Sequence, residues 1–126
     1  NYTAGNYVES MASDDAVVVM QTGSYAVVKG CYWYMPRAGT IRVRWRITSS
    51  FSSTLTTRVY RSGVAVGSVH STTTGPVDCY EDVVVSAGHT IEIRGYSTAS
   101  SSGHVYYPAI CVGNPLEAAI VWTSAY

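Results

Sequence analysis

Three histidines are the side chains best suited to proton transfer near neutral pH, so they are the first candidates for catalysis. His70, His89 and His104 each fall in or beside a predicted turn. The sequence contains no G-x-S-x-G, no H-E-x-x-H and no phosphate-cradling glycine motif. We therefore predict no catalytic residue and a protein that is not an enzyme. A hydrolase assembled from the three loop histidines is the alternative hypothesis.

Cysteines and carboxylates do not form a recognisable metal site in the sequence. Cys31, Cys79 and Cys111 make an odd count, include no C-x-x-C pair and have no histidine at ligand spacing. Asp14 and Asp15 lack the surrounding spacing of an EF-hand loop. We predict no metal and no cofactor. The cysteines form either one disulfide with a remaining thiol or three buried thiols.

Arginines form a row at alternate positions. Arg42, Arg44 and Arg46 would lie on one face of a strand, with their side chains about 7 Å apart. Like charges at this spacing need partners, and the expected counter-charges are Glu81, Glu92 and Glu117. The row is either a cross-strand salt-bridge face or an interface, since arginine is enriched at interfaces.

Aromatic side chains are concentrated in two places. Trp33 and Tyr34 belong to the segment C-Y-W-Y-M, in which neighbouring side chains point to opposite faces of a strand, and Tyr106 and Tyr107 follow near the C-terminus. Exposed aromatic rings can stack on sugar rings, so these four residues are candidates for a lectin-like platform. Core packing or subunit contact is the alternative.

The composition indicates which elements must position these side chains. The chain has 18 Val, 6 Ile, 13 Thr and 11 Tyr but only 2 Leu. Branched and aromatic residues favour a pleated surface, so the fold class is all-β. A net charge of zero argues against nucleic-acid binding, and no apolar run is long enough to span a bilayer. We predict neither a nucleic-acid partner nor a membrane.

Alternation and turn residues predict individual strands. Apolar side chains alternate with arginines in residues 40–48, which predicts a half-buried strand. Residues 54–61 and 64–66 flank Ser-Gly and predict a hairpin. Residues 79–85 and 90–96 flank S-A-G-H and predict a second hairpin.

A further strand and the chain ends complete the predicted organisation. Residues 105–112 form a strand in which Pro108 requires an edge or a bulge. Together the segments predict an antiparallel, jelly-roll-like β-sandwich of seven or eight strands. We expect a single domain over 1–126, with an N-terminal arm at 1–15, the sandwich at 16–112, and a C-terminal strand or arm at 113–126.

Three stretches resemble a small all-β module of tailed-bacteriophage structural proteins. They are G-T-I-R-V-R-W-R-I-T-S-S, R-V-Y-R-S-G-V-A-V-G-S and Y-E-D-V-V-V-S-A-G-H-T-I-E-I-R-G-Y, within residues 39–112. The resemblance is to tail-fibre, baseplate and head-decoration domains. It implies a non-enzymatic virion protein that forms homo-oligomers and contacts other virion proteins. It carries over no catalytic or ligand residue.

The resemblance leads to one functional expectation and one alternative. We expect a structural protein of a phage particle, located in the virion and displayed on the capsid, as a decoration protein or head fibre, or on the tail. Association would occur through apolar edges and arms that add strands to neighbouring subunits, and the arginine row is a further interface candidate. The alternative is a carbohydrate-binding, lectin-like module that recognises a cell-surface glycan through the aromatic platform.

Overall fold

The structure is a computed structural model, and it describes residues 1, 3, 8–11, 17–19, 25–49, 53–98, 103–113 and 121–122. The described residues form ten strands and no helix. The strands are β1 (Val8–Met11), β2 (Val17–Val19), β3 (Ala26–Tyr34), β4 (Gly39–Thr48), β5 (Leu55–Arg61), β6 (Val64–Thr72), β7 (Val77–Val85), β8 (Thr90–Ser97), β9 (Gly103–Val112) and β10 (Val121–Trp122). No helix in this part of the chain could cross a membrane.

The strands form two five-stranded sheets. Sheet A has the order β1-β9-β4-β7, with β2 also paired to β9, and sheet B has the order β10-β3-β8-β5-β6. Every pairing is antiparallel. The prediction of an all-β, antiparallel, jelly-roll-like sandwich is confirmed.

Strand β4 shows how the sequence pattern orients sheet A. Ile41, Val43, Trp45 and Ile47 are buried, and the residues between them are only partly buried. The apolar side chains face sheet B, which supplies residues such as Leu55, Val59, Ile91 and Ile93 to the same core. A shift of one residue in the register of β4 would bury its arginines, so the register is strongly specified.

The hairpin of β5 and β6 is confirmed at the predicted turn. Ser62 and Gly63 join the strands with φ values of 49° and 83°. Two consecutive positive φ values match the twist of a two-residue hairpin turn. Strand β6 continues to Thr72, because Leu55 still pairs with Thr72 after a bulge.

The predicted second hairpin is wrong. Strand β7 pairs with β4 in sheet A, whereas β8 lies between β3 and β5 in sheet B. Both edges of β8 are therefore already hydrogen-bonded, and residues 86–89 carry the chain from one sheet to the other. Backbone hydrogen bonds between Met35 and the residues Gly88 and His89 hold this crossing.

Pro108 lies in a bulge, as the sequence predicts. In the pairing of β4 with β9, Arg44 is opposite Ala109 and Arg46 is opposite Tyr106, so Tyr107 and Pro108 together face Trp45. On the other edge of β9, β2 pairs with residues 103–105 and β1 with residues 109–112. The missing N–H of Pro108 therefore falls between two paired stretches.

The described parts of both predicted arms pair within the chain. In the N-terminal segment β1 adds to β9, and Asn1 Oδ1 accepts a hydrogen bond of 2.9 Å from the Thr40 N–H. In the C-terminal segment β10 pairs with β3. Apart from Thr3, the other residues of 1–15 and 114–126, with Asp14, Asp15 and Glu117, lie outside the described residues.

Side chains join the neighbouring edges of the two sheets at β6 and β7. Glu81 Oε1 accepts a 2.8 Å hydrogen bond from the Ser68 N–H and lies 2.8 Å from His70 Nε2. Behind this contact, Trp45 Nε1 donates to Thr57 Oγ1 at 2.9 Å, and the indole packs edge-on against the His70 ring. Glu81 therefore ties β7 to sheet B.

Candidate functional site

A groove of about 350 Å³ lies on the outer face of sheet A, the face opposite the core. Among the described residues its polar and aromatic walls come from β4, β7 and β9, and they include Arg42, Arg44, Arg46, Asp78, Tyr80 and Tyr107. The period of two in β4 and β7 places these side chains outward because their neighbours are needed in the core.

Two arginines of the predicted row are paired across strands. Arg42 Nε and Nη2 donate to the two oxygens of Asp82 at 2.7 and 2.9 Å. Arg46 Nε and Nη2 donate to Asp78 at 2.6 and 3.3 Å. Each carboxylate is the direct cross-strand partner of its arginine. The forked geometry holds both guanidinium groups in a defined orientation.

Two of the expected counter-charges of the arginine row, Glu81 and Glu92, are therefore wrong, and the third, Glu117, lies outside the described residues. Glu81 points toward sheet B and binds Ser68 and His70, and Glu92 accepts from Arg94 Nε at 3.0 Å on the outer face of sheet B. The sequence did contain the correct signal. Residues 78–82 read D-C-Y-E-D, which repeats the alternate spacing of the arginines and places Asp78, Tyr80 and Asp82 on one face.

Ion pairing sets the charge state of the groove. Hydrogen bonding to Arg46 lowers the pKa of Asp78 below its usual 3.8, and hydrogen bonding to Arg42 does the same to the pKa of Asp82. The pKa of Arg46 is raised, mainly by its hydrogen bond and attraction to Asp78. These carboxylates are ionised at neutral pH, and the guanidinium groups stay charged.

Two exposed tyrosines flank the arginines. Tyr80 is 55% exposed, and the Arg42 Cζ atom lies 4.0 Å from the centroid of its ring. Tyr107 is 41% exposed, has a φ of 50° and lies in the β9 bulge. Its ring is 5.7 Å from that of Tyr106. Sequence reasoning selected Tyr106 and Tyr107 but missed Tyr80.

The other two aromatic candidates lie elsewhere. Trp33 has 0% exposure and belongs to the core, so it cannot present a ring to a sugar. Tyr34 is 44% exposed at the end of β3 in sheet B, away from the groove. The alternation of β3 explains the difference, because Trp33 points inward and its neighbour outward.

The histidines have separate surroundings. His70 is within β6 rather than in a turn and packs against Trp45. His89 Nδ1 accepts a 3.0 Å hydrogen bond from the Ser86 N–H, and the His104 ring packs beside Tyr106. The three therefore occupy different places in the fold. Among the described residues no group of His, Cys, Asp and Glu could hold a metal ion.

All three cysteines are buried thiols, and none forms a disulfide. This outcome is the second of the two alternatives left open by the sequence. Burial raises the pKa of Cys31 and that of Cys79 to about 12. Both are therefore protonated core residues rather than nucleophiles.

The fold is similar to that of solved carbohydrate-binding modules. A family 35 carbohydrate-binding module from Clostridium thermocellum aligns with a TM-score of 0.51 at 12% identity, over 82% of this chain and 97% of that one. A family 35 module from an environmental isolate aligns with a TM-score of 0.50 at 15% identity, over 92% and 93% of the two chains. Because the sequence identities are this low, these alignments show a shared fold and nothing more.

A third similar structure is an enzyme. It is the isomalto-dextranase of Arthrobacter globiformis T6 in complex with panose, which aligns with a TM-score of 0.50 at 15% identity. The match covers 83% of this chain but 23% of that one. No protein-family model and no curated protein matches the sequence.

These findings correct the main functional expectation. The prediction of a structural protein of a phage particle is wrong, because the solved structures with a similar fold include family 35 carbohydrate-binding modules. The quoted stretches describe strands and turns, which many β-sandwiches share, and they contain no functional residue. The phage resemblance of residues 39–112 and the virion location stay sequence-based predictions, and a homo-oligomer and virion partners have no support.

Proposed function

We propose that this protein is a non-enzymatic carbohydrate-binding module and that its ligand binds in the groove on sheet A. The observation that carries the proposal is the arrangement of Tyr80 and Tyr107 on either side of ion-paired arginines. Carbohydrate binding was the alternative function predicted from the sequence. Two residues of the predicted aromatic platform, Tyr106 and Tyr107, lie on the outer face of sheet A.

The groove offers the two kinds of contact that a sugar needs. One face of a pyranose ring carries C–H groups, which pack against exposed aromatic rings such as Tyr80 and Tyr107. Sugar hydroxyls donate and accept hydrogen bonds, and the groove supplies guanidinium donors beside a carboxylate acceptor at Arg46 and Asp78. Aromatic side chains with a few oriented polar groups are typical of small-ligand sites.

Ion pairing prepares the polar groups for binding. Arg46 uses two of its five N–H groups on Asp78, so within the described structure the guanidinium is oriented before a ligand arrives. A long side chain that is already held in place loses less conformational entropy when a ligand binds. The strands provide a rigid support, because β4 is hydrogen-bonded on both edges.

The carboxylates near the groove do not suit glycoside hydrolysis. Asp78 and Asp82 are four residues apart on one strand, which places their backbones about 13 Å apart. Paired glycosidase carboxylates are about 5 to 9.5 Å apart, and one of them must be protonated. The pKa of each carboxyl is lowered instead. This supports binding without catalysis, and the names of the modules that share the fold support carbohydrate as the ligand.

A glycan array tests the proposal with a matched pair of variants. Tyr107→Ala removes a groove tyrosine, whereas Tyr34→Ala removes a tyrosine of similar exposure on sheet B. We expect the wild type and Tyr34→Ala to bind the same glycans and Tyr107→Ala to lose most of the signal. Failure of the wild type to bind any glycan would refute the function. Loss of binding in Tyr34→Ala alone would refute the location.

A further inference from the structure

Two exposed tyrosines stand on opposite sides of β4. Tyr80 on β7 is the cross-strand partner of Arg44, and Tyr107 lies in the β9 bulge opposite Trp45. Adjacent strands are about 4.8 Å apart, so the two tyrosine backbones are about 10 Å apart across the sheet. The groove therefore has an aromatic ring at each side and arginines in the middle.

Neighbouring side chains hold each ring in place. The Arg42 guanidinium, which Asp82 binds in a fork, packs on one face of the Tyr80 ring, with Cζ 4.0 Å from the ring centroid, and Tyr80 is still 55% exposed. The Tyr107 ring packs beside Tyr106, and the positive φ of Tyr107 belongs to the bulge that turns the residue out of the regular ladder. The separation of the two tyrosine backbones, about 10 Å, is consequently set by the sheet before any ligand binds.

This distance is longer than one sugar. A pyranose repeat in an extended chain is roughly 5 Å long, because it contains one ring and a bridging oxygen joined by bonds of about 1.5 Å. A span of about 10 Å corresponds to two repeats. If one unit packs on Tyr80, the next lies over the arginines beside Asp78, and the one after it packs on Tyr107.

We propose that the groove binds an internal stretch of at least about three units of an unbranched glycan, running across β4 from Tyr80 to Tyr107. The proposal rests on the carbohydrate binding proposed above and adds the length and direction of the bound chain. A single sugar contacts one tyrosine at a time and loses the contribution of the other. Chain length therefore governs affinity.

Isothermal titration calorimetry with oligosaccharides of increasing length tests the proposal. The probes run from the monosaccharide to the hexasaccharide in β-1,4-linked xylo-, gluco- and manno-series and in an α-1,6-linked gluco-series. We expect affinity in the bound series to rise at least about tenfold from the monosaccharide to the trisaccharide and to change little beyond the tetrasaccharide. Tyr80→Ala and Tyr107→Ala should each reduce trisaccharide affinity to near the monosaccharide value, and Tyr34→Ala should leave the length dependence intact.

The outcomes separate this proposal from the function on which it rests. A monosaccharide that binds as tightly as the trisaccharide would overturn the extended groove and leave carbohydrate binding standing. If the affinity of both Tyr80→Ala and Tyr107→Ala still rose with oligosaccharide length, the extended groove would also be overturned, because the glycan would then bind elsewhere. Absence of binding by every probe, together with a blank glycan array, would overturn both. The wild-type length series is decisive even if a variant fails to fold.

Discussion

Gly67→Ala tests how firmly β7, which carries Asp78 and Tyr80, is tied to sheet B. Gly67 has a φ of 70°, and a Cβ added there would lie 2.5 Å from the Glu81 carboxyl carbon. The carboxylate would have to move away and give up its contacts with Ser68 and His70. Gly63 is the matched control, because it has a φ of 83° in the same hairpin but open space around its Cβ position.

The structure predicts different energies for the two glycine variants. A left-handed conformation costs an L-residue about 1 to 2 kcal/mol, partly offset by the reduced entropy of the unfolded chain, so Gly63→Ala should destabilise the fold by about 1 kcal/mol. Gly67→Ala has the same backbone penalty and also loses hydrogen bonds to a carboxylate, worth about 2 kcal/mol in a partly exposed setting. Its total is about 3 kcal/mol.

Urea denaturation followed by tryptophan fluorescence measures these free energies of unfolding. In a Glu81→Ala background, Gly67→Ala should cost only about 1 kcal/mol, since nothing remains to be displaced. Equal destabilisation by Gly67→Ala and Gly63→Ala in the wild-type background would refute the reasoning. A Gly67→Ala effect that is unchanged by removal of Glu81 would do the same.

Three further predictions concern the core, the charges and the thiols. Trp45→Ala should lower the free energy of unfolding by about 3 to 5 kcal/mol in urea titrations, because the indole is buried and hydrogen-bonded. A smaller loss than in Gly67→Ala would contradict the place of Trp45 in the core. The difference in free energy of unfolding between wild type and Asp82→Asn should be constant above about pH 5. It should shrink as the pH falls below 3.8 and through the lowered pKa of the Asp82 carboxyl, because protonation then removes the ion pair in the wild type too. A difference that grows in acid would contradict the pairing. Cys31 and Cys79, whose pKa is raised to about 12, should not react with a disulfide reagent at about pH 8 until guanidinium chloride unfolds the protein, and rapid labelling in the native state would contradict their burial.

Local patterns in the sequence predicted the strands well. The alternation in β4 predicted which side chains face the core, and Ser62-Gly63 predicted the hairpin turn. These features depend on neighbours in sequence, namely the period of the strand and the φ values of a tight turn. The requirement that Pro108 lie in a bulge is similarly local, because it follows from a missing N–H.

Choices between sheets could not be predicted in the same way. A short turn at residues 86–89 is equally compatible with a hairpin and with a crossing from sheet A to sheet B. The crossing is selected because β3 and β5 occupy both edges of β8. These are long-range pairings, and no pattern within residues 79–96 carries information about them.

The site was predicted in part for a related reason. The arginine row follows from alternation within β4, whereas Tyr107 is exposed because of the bulge in β9, and the partners of both depend on which strand lies beside β4. Asp78 and Tyr80 become part of the groove only because β7 pairs there. Trp33 was misplaced because both faces of its segment are apolar, so alternation alone did not show which side faces the core.

Chemical-shift mapping tests the central claim, that a glycan binds in the groove on sheet A. Backbone amide shifts of the labelled protein would be followed during titration with the tightest-binding oligosaccharide of the calorimetry series. We expect the largest changes at Arg46, Asp78, Tyr80 and Tyr107, with little change at Tyr34. Changes concentrated at Tyr34, or at Ser97 and Gly103 where β8 ends and β9 begins, with the groove amides unmoved, would contradict the account.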